Sequence, residues 1–136
     1  MEKINFKDLK HKEFYIMNGL DVKQELDVYN KSLIYLLGLS EDTRNHFNNI
    51  YDVEKREINI EELNAPWQTS GSLAITRLAF NLFNGFAGLD IEDTENNEES
   101  RITDKKKFAV DNIFCYREYA PYFYEAIKIR FEMNIQ

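Results

Sequence analysis

Trp67-Gln68-Thr69-Ser70-Gly71-Ser72-Leu73-Ala74-Ile75-Thr76-Arg77-Leu78-Ala79-Phe80-Asn81-Leu82-Phe83-Asn84-Gly85 is the stretch whose reading decides the fold. It reads as a polar turn feeding a helix that is apolar almost all the way round. At about 100° per residue, Arg77, Asn81 and Asn84 share one narrow wedge, while Leu73, Ala74, Ile75, Leu78, Ala79, Phe80, Leu82 and Phe83 cover most of the remaining circumference. A helix with so little polar surface must be wrapped by other elements. The stretch therefore predicts a buried central helix from about Ser72 to Asn84, stopped at Gly85, with the rest of the chain arranged around it.

Working outward towards the N-terminus, Phe6, Leu9, Phe14 and Met17 recur at helical spacing among Lys and Glu before Gly19, which predicts an amphipathic helix from Asn5 to Asn18 with those four side chains inward. Asp21 can cap a second helix reaching Leu37, with Val22, Leu26, Tyr29, Leu33, Ile34, Leu36 and Leu37 as its inner face and Gly38 turning left-handed after it. Ser40 opens a third helix to about Tyr51: its hydroxyl can accept from first-turn amides, Glu41 and Asp42 suit the positive end of the dipole, and Phe47 and Ile50 face inward. Residues 52–65 are polar, with an Ile58-Asn59-Ile60 alternation too brief to fix a strand, so a loop with one helical turn near Glu61 to Asn64 is expected. Pro66 disfavours helical geometry at Ala65.

On the C-terminal side, residues 87–106 have little to bury and read as a flexible acidic excursion. Between Asp90 and Glu99 lie Asp90, Glu92, Asp93, Glu95, Glu98 and Glu99 with no basic residue. They account for six of the seven net negative charges, so the body is nearly neutral. Lys105, Lys106 and Lys107 close the excursion, Asp111 to Phe114 reads as a short capped helix, and Pro121 suits the first turn of a last helix with Phe123, Tyr124, Ile127 and Phe131 inward.

At 136 residues and 43% hydrophobic, the chain supports one core and not two. The expectation is an all-α, compact single-domain bundle of five or six helices around the buried central one. A net charge of −7 argues against direct binding to a nucleic-acid backbone. One cysteine, Cys115, with His11 and His46 is too few soft ligands for a structural metal site, and no cofactor motif is visible. No apolar run approaches the roughly 18 residues that cross a bilayer. The opening Met1-Glu2-Lys3-Ile4-Asn5-Phe6-Lys7 lacks a signal-peptide core, so the expected setting is a bacterial cytoplasm.

Three strings carry a resemblance: L-G-L-S-E-D-T-R-N-H-F-N-N-I-Y-D from Leu37 to Asp52, the Trp67–Gly85 stretch, and Y-A-P-Y-F-Y-E-A-I-K-I-R-F from Tyr119 to Phe131. Together they resemble a family of small Firmicutes proteins, without assigned activity, found on prophages and conjugative elements. The resemblance implies an intracellular, mobile-element setting, where small non-enzymatic proteins interfere with a host regulator or defence system in the manner of anti-CRISPR proteins. It designates no catalytic residue.

Five groups of residues are candidates for function. Thr69, Ser70, Gly71 and Ser72 combine helix-start amides, a close-approach glycine and hydroxyls, which suits a phosphate or nucleotide with Arg77 or Arg44 as counter-charge; the same residues also suit a plain helix cap, and no P-loop lysine is present. Arg77, on a mostly buried helix, needs a partner such as Asp42, Asp111 or Glu125. Arg44 and His46 beside Glu41 and Asp42 mix acid and base, but lack a nucleophile. Tyr116, Tyr119 and Tyr122, three apart, present either core or a rim of rings for a partner. The acidic run (Asp90 to Glu99) suits fast, salt-sensitive encounter with a host protein bearing a basic, nucleic-acid-binding surface. The expected function is thus a non-enzymatic, stoichiometric binder of a host protein, with a small-ligand binder as the alternative.

Overall fold

The computed structural model describes residues 3–19, 27–89 and 105–133. It is all-α, with seven helices and one minimal hairpin among those residues. The helices are α1 (Leu9–Gly19), α2 (Val28–Leu37), α3 (Glu41–Asn45), α4 (Phe47–Ile50), α5 (Ser70–Asn84), α6 (Val110–Phe114) and α7 (Ala120–Phe131). Two 3-10 turns, Ile60–Asn64 and Lys105–Phe108, join them. The expected excursion at 87–106, and with it the six acidic residues of the run, falls almost wholly outside the described residues.

α5 is the predicted central helix, two residues longer at its start. Every residue from Ser72 to Phe80 is buried, and Gly85 ends it in the left-handed region at φ 83°, a conformation open to glycine without steric penalty. It is not the sole centre. Every residue from Ser32 to Leu39 is also buried, and α2 packs against α5 on one side and α7 on the other, with α1 closing a further face. α7 leans chiefly on α2 and only lightly on α5.

Why α2 can bury a stretch containing Asn30, Ser32 and Tyr35 follows from its polar partners. The Tyr51 hydroxyl donates to Asn30 Oδ1, Ser32 donates to the Tyr29 carbonyl at 3.2 Å, and the Tyr35 hydroxyl donates to the Asn5 carbonyl at 2.5 Å. At its C-terminal end, Thr43 Oγ1 donates to the Leu37 carbonyl at 2.7 Å and Arg44 Nη1 to the Gly38 carbonyl at 2.8 Å, satisfying carbonyls that a helix end leaves open. With all these groups paired, burial costs little beyond conformational entropy.

Several expectations are corrected. α2 starts at Val28 under an Asp27 cap, while Asp21 lies outside the described residues. Gly38 does not turn left-handed: its φ is −81° and ψ −8°. Glycine is needed there for space, since a Cβ would come within 2.8 Å of Phe14 Cδ1 and 2.9 Å of His11 Cδ2. α1 begins at Leu9 rather than Asn5, and its inward face is His11, Tyr15 and Gly19, whereas Leu9 and Met17 are exposed. The third helix is two short ones broken at His46, whose φ of −111° leaves helical space. Tyr51–Asp52 pairs antiparallel with Glu57–Ile58, a strand pair too short to alter the fold class. α6 has no side-chain cap. On α7, Phe123, Glu125 and Ala126 are buried, while Tyr124 and Phe131 face outward.

Candidate functional site

The start of α5 holds the first group singled out in the sequence, Thr69, Ser70, Gly71 and Ser72. Thr69 Oγ1 accepts from the Ser72 amide at 3.1 Å, and Ser72 Oγ accepts from the Thr69 amide at 2.7 Å. This reciprocal pair is a capping box in which Ser72 stands where Glu or Gln is usual. Ser72 Oγ also donates to Gln68 Oε1 at 2.5 Å, and Gln68 Nε2 donates to the Glu62 carbonyl at 3.2 Å. Thr69 and Ser70 are exposed, Ser72 buried. Gly71 lies against Tyr119, whose ring carbon Cε2 a Cβ would approach to 3.3 Å. An anion at this turn would therefore have to compete with a cap that already occupies the Thr69 and Ser72 hydroxyls. Thr69→Ala is expected to cost about 1 kcal/mol of stability, the usual worth of such a cap, read from the urea midpoint at unchanged slope.

Both proposed counter-charges have partners other than the turn. Arg44 is engaged at the C-terminal end of α2 through the Gly38 carbonyl. Arg77 sits six positions beyond Gly71, which is about 9 Å along the axis and about 120° round it. Its guanidinium lies over the Phe108 ring, 5.9 Å from the centroid. Glu125, one of its suggested partners, is 3.5 Å from Lys128.

Beside the turn, Trp67 and His46 stack, with centroids 4.1 Å apart and planes 2° from parallel. Trp67 Nε1 donates to Glu62 Oε2 at 2.9 Å. His46 Nδ1 lies 2.8 Å from the Asp42 carbonyl. A carbonyl only accepts, so Nδ1 carries the proton in that bond and the ring is locked in one tautomer. Arg44 and His46 thus both serve local structure. Burial raises the pKa of Tyr119, and the negative charges of Glu118 and Asp42 raise it further against the opposing field of Arg44.

Tyr116, Tyr119 and Tyr122 are each half-buried against the core rather than forming one outward rim. Tyr119 stacks on Phe123 at 6.0 Å, and Tyr122 meets the His11 ring edge-on at 6.4 Å. The other proposed partner-binding residues, Asp90, Glu92, Asp93, Glu95, Glu98 and Glu99, lie outside the described residues. Among the described residues, no group of three His, Cys, Asp or Glu side chains is placed to hold a metal, and no helix is long and apolar enough to cross a membrane.

Outward-facing rings lie elsewhere, at the start of α2 and along α7. Tyr29, Tyr124 and Phe131 are 42%, 45% and 55% exposed. Arg130 lies between two of them: its guanidinium carbon is 3.9 Å from the Tyr29 centroid and 4.6 Å from that of Phe131. Arg130 Nε donates to the Leu82 carbonyl at 2.7 Å, tying α7 to the last turn of α5. Sequence reasoning placed these rings inward. The available signal was the spacing of Tyr124, Lys128 and Phe131, four and three apart and so on one face of α7, with a lysine in the middle of it.

Comparison with curated proteins finds no match, and comparison with solved structures finds none either. Across residues 1–136, the chain matches the family described as "Family of unknown function (DUF6075)" and belongs to it.

Proposed function

We propose that this protein is a non-enzymatic interaction protein that binds a partner protein stoichiometrically. The observation that supports the reading is the exposed pair of rings Tyr29 and Phe131 on either side of Arg130, with exposed Tyr124 further along α7 beneath Lys128. Tyr and Arg dominate the energetic centres of protein interfaces, because they present large contact area together with directional polar groups. In the mobile-element setting that the sequence resemblance implies, the partner is a host protein, with a component of a defence system as the target class. The acidic run, Asp90 to Glu99, adds electrostatic steering towards a basic surface on that partner.

Capture from host-cell lysate, followed by reconstitution with the purified partner, tests this. The native mass should show a whole-number complex, and the double variant Tyr124→Ser, Phe131→Ser should weaken it by about tenfold or more. A chain that forms no complex, or a double variant that binds as well as the wild type, would sink the proposal. Deleting residues 90–99 should slow association and flatten its salt dependence; an unchanged rate would remove the steering role. The alternative, a phosphate or nucleotide at Thr69–Ser72, predicts a ligand-dependent rise in melting temperature that Ser70→Asp abolishes. A carboxylate at that position complements the helix dipole, so the variant should fold while repelling an anion.

A further inference from the structure

Building on the reading of this chain as a partner binder, we propose that Arg130 is the anchor of the interface and reads a carboxylate on an acidic, apolar-flanked peptide segment of the partner protein. Its guanidinium is held from three directions: the Tyr29 ring at 3.9 Å, the Phe131 ring at 4.6 Å, and the Leu82 carbonyl bonded to Nε. Among the described residues no carboxylate pairs with it. A guanidinium fixed in this way has already lost most of its rotamer freedom, so the entropy normally spent on ordering it at binding is small. The planar fork suits a carboxylate, which it can engage in two parallel charge-assisted bonds.

The flanking rings decide between acidic ligands. Inorganic phosphate would leave Tyr29 and Phe131 without a contact. A peptide that brackets an acidic residue with apolar ones would use both the charge and the rings. Recognition at contact range depends on local charge, since fields from groups beyond about 8 Å are screened at physiological salt. In the last turn of α7, Lys128 lies 3.5 Å from Glu125, which leaves Arg130 as the cation there with no carboxylate partner among the described residues.

The test is fluorescence anisotropy with a short labelled peptide of alternating Glu and Leu, its Gln-for-Glu counterpart, and inorganic phosphate as competitor. The wild-type protein should bind the Glu peptide about tenfold better than the Gln peptide, and phosphate should not displace it. Arg130→Lys keeps the charge and loses the fork, so affinity should fall about tenfold. Should that variant fold poorly, Tyr29→Ser leaves the Arg130–Leu82 bond in place and should weaken binding severalfold. Equal binding of the two peptides, displacement by phosphate, or full affinity in Arg130→Lys would each overturn the inference. So would self-association that Arg130→Lys abolishes, because it assigns the surface to a second copy. The two readings fail separately: a captured partner that binds Arg130→Lys as tightly as the wild type removes the anchor and leaves the interaction reading standing. Selective peptide binding by a chain that captures no protein does the reverse.

Discussion

Phe80→Ala is expected to lower the free energy of unfolding by about 3–5 kcal/mol, the range for truncating a fully enclosed aromatic side chain. Phe80 is 0% exposed and lies in the long buried stretch of α5, with the Phe86 ring meeting it edge-on at 6.4 Å. With no solvent-exposed side, the site has little freedom to collapse, and the loss should sit towards the upper part of that range. Against a total stability of about 5–15 kcal/mol for a domain of this size, one such change brings the protein close to the edge of folding. Met17→Ala makes the contrast. Met17 is 81% exposed, although helical periodicity alone places it inward, and its removal should stay within about 0.5 kcal/mol. Urea unfolding of both variants checks the pair. A loss below about 1 kcal/mol for Phe80→Ala, or above about 2 kcal/mol for Met17→Ala, would contradict the arrangement of α1, α2 and α5.

The contrast between these two positions shows which parts of the fold local pattern reveals. α5 is legible because nearly every side of it is apolar, Thr69 caps it and Gly85 stops it, so no knowledge of its neighbours is needed. α2 looks less central than it is, because the polar atoms of Asn30, Ser32 and Tyr35 count against burial until their partners are known. Those partners, Tyr51 and the Asn5 carbonyl among them, are distant in sequence. α1 misleads for the same reason: a histidine is scored as polar, yet His11 is enclosed and Leu9 is not. α7 carries apolar residues on more than one side, so periodicity gives two inner faces and the choice falls to α2, against which it packs. Within the candidate site, the cap at Thr69 and Ser72 is written in four adjacent residues. The His46–Trp67 stack and the Tyr29–Arg130–Phe131 cluster join elements far apart in the chain, and only the packing brings them together.

Lowering the pH from about 6.5 towards 4 should remove on the order of 3 kcal/mol of stability through His11 alone. The folded protein holds this ring neutral. His11 Nε2 lies 2.7 Å from the Tyr35 carbonyl, which can only accept, so Nε2 carries the proton. Nδ1 accepts from the Lys7 amide at 3.1 Å, and protonating it would set two donors against each other. Enclosure by Phe6, Tyr35 and Tyr122 adds a larger effect: burial opposes the charged form and lowers the pKa from 6.5 to about 4, although the Tyr35 carbonyl and the Asp8 charge act the other way. The unfolded chain, titrating near 6.5, therefore binds more protons than the folded one between those two values. Stability falls as pH drops through this window and, for this group, levels off below about 4. Asp8 and Asp27, whose carboxyls are held below the usual value of 3.8, release their share only at still lower pH, so the two effects are separable. Thermal or urea unfolding at intervals from pH 7.5 to pH 4.5 reads the slope. His11→Gln, which has no titrating ring, should start less stable at neutral pH and show little further loss across the window. A wild-type profile that stays flat there, or a variant that keeps the wild-type slope, would mean that the buried imidazole is not what links α1 to the acid sensitivity of the fold.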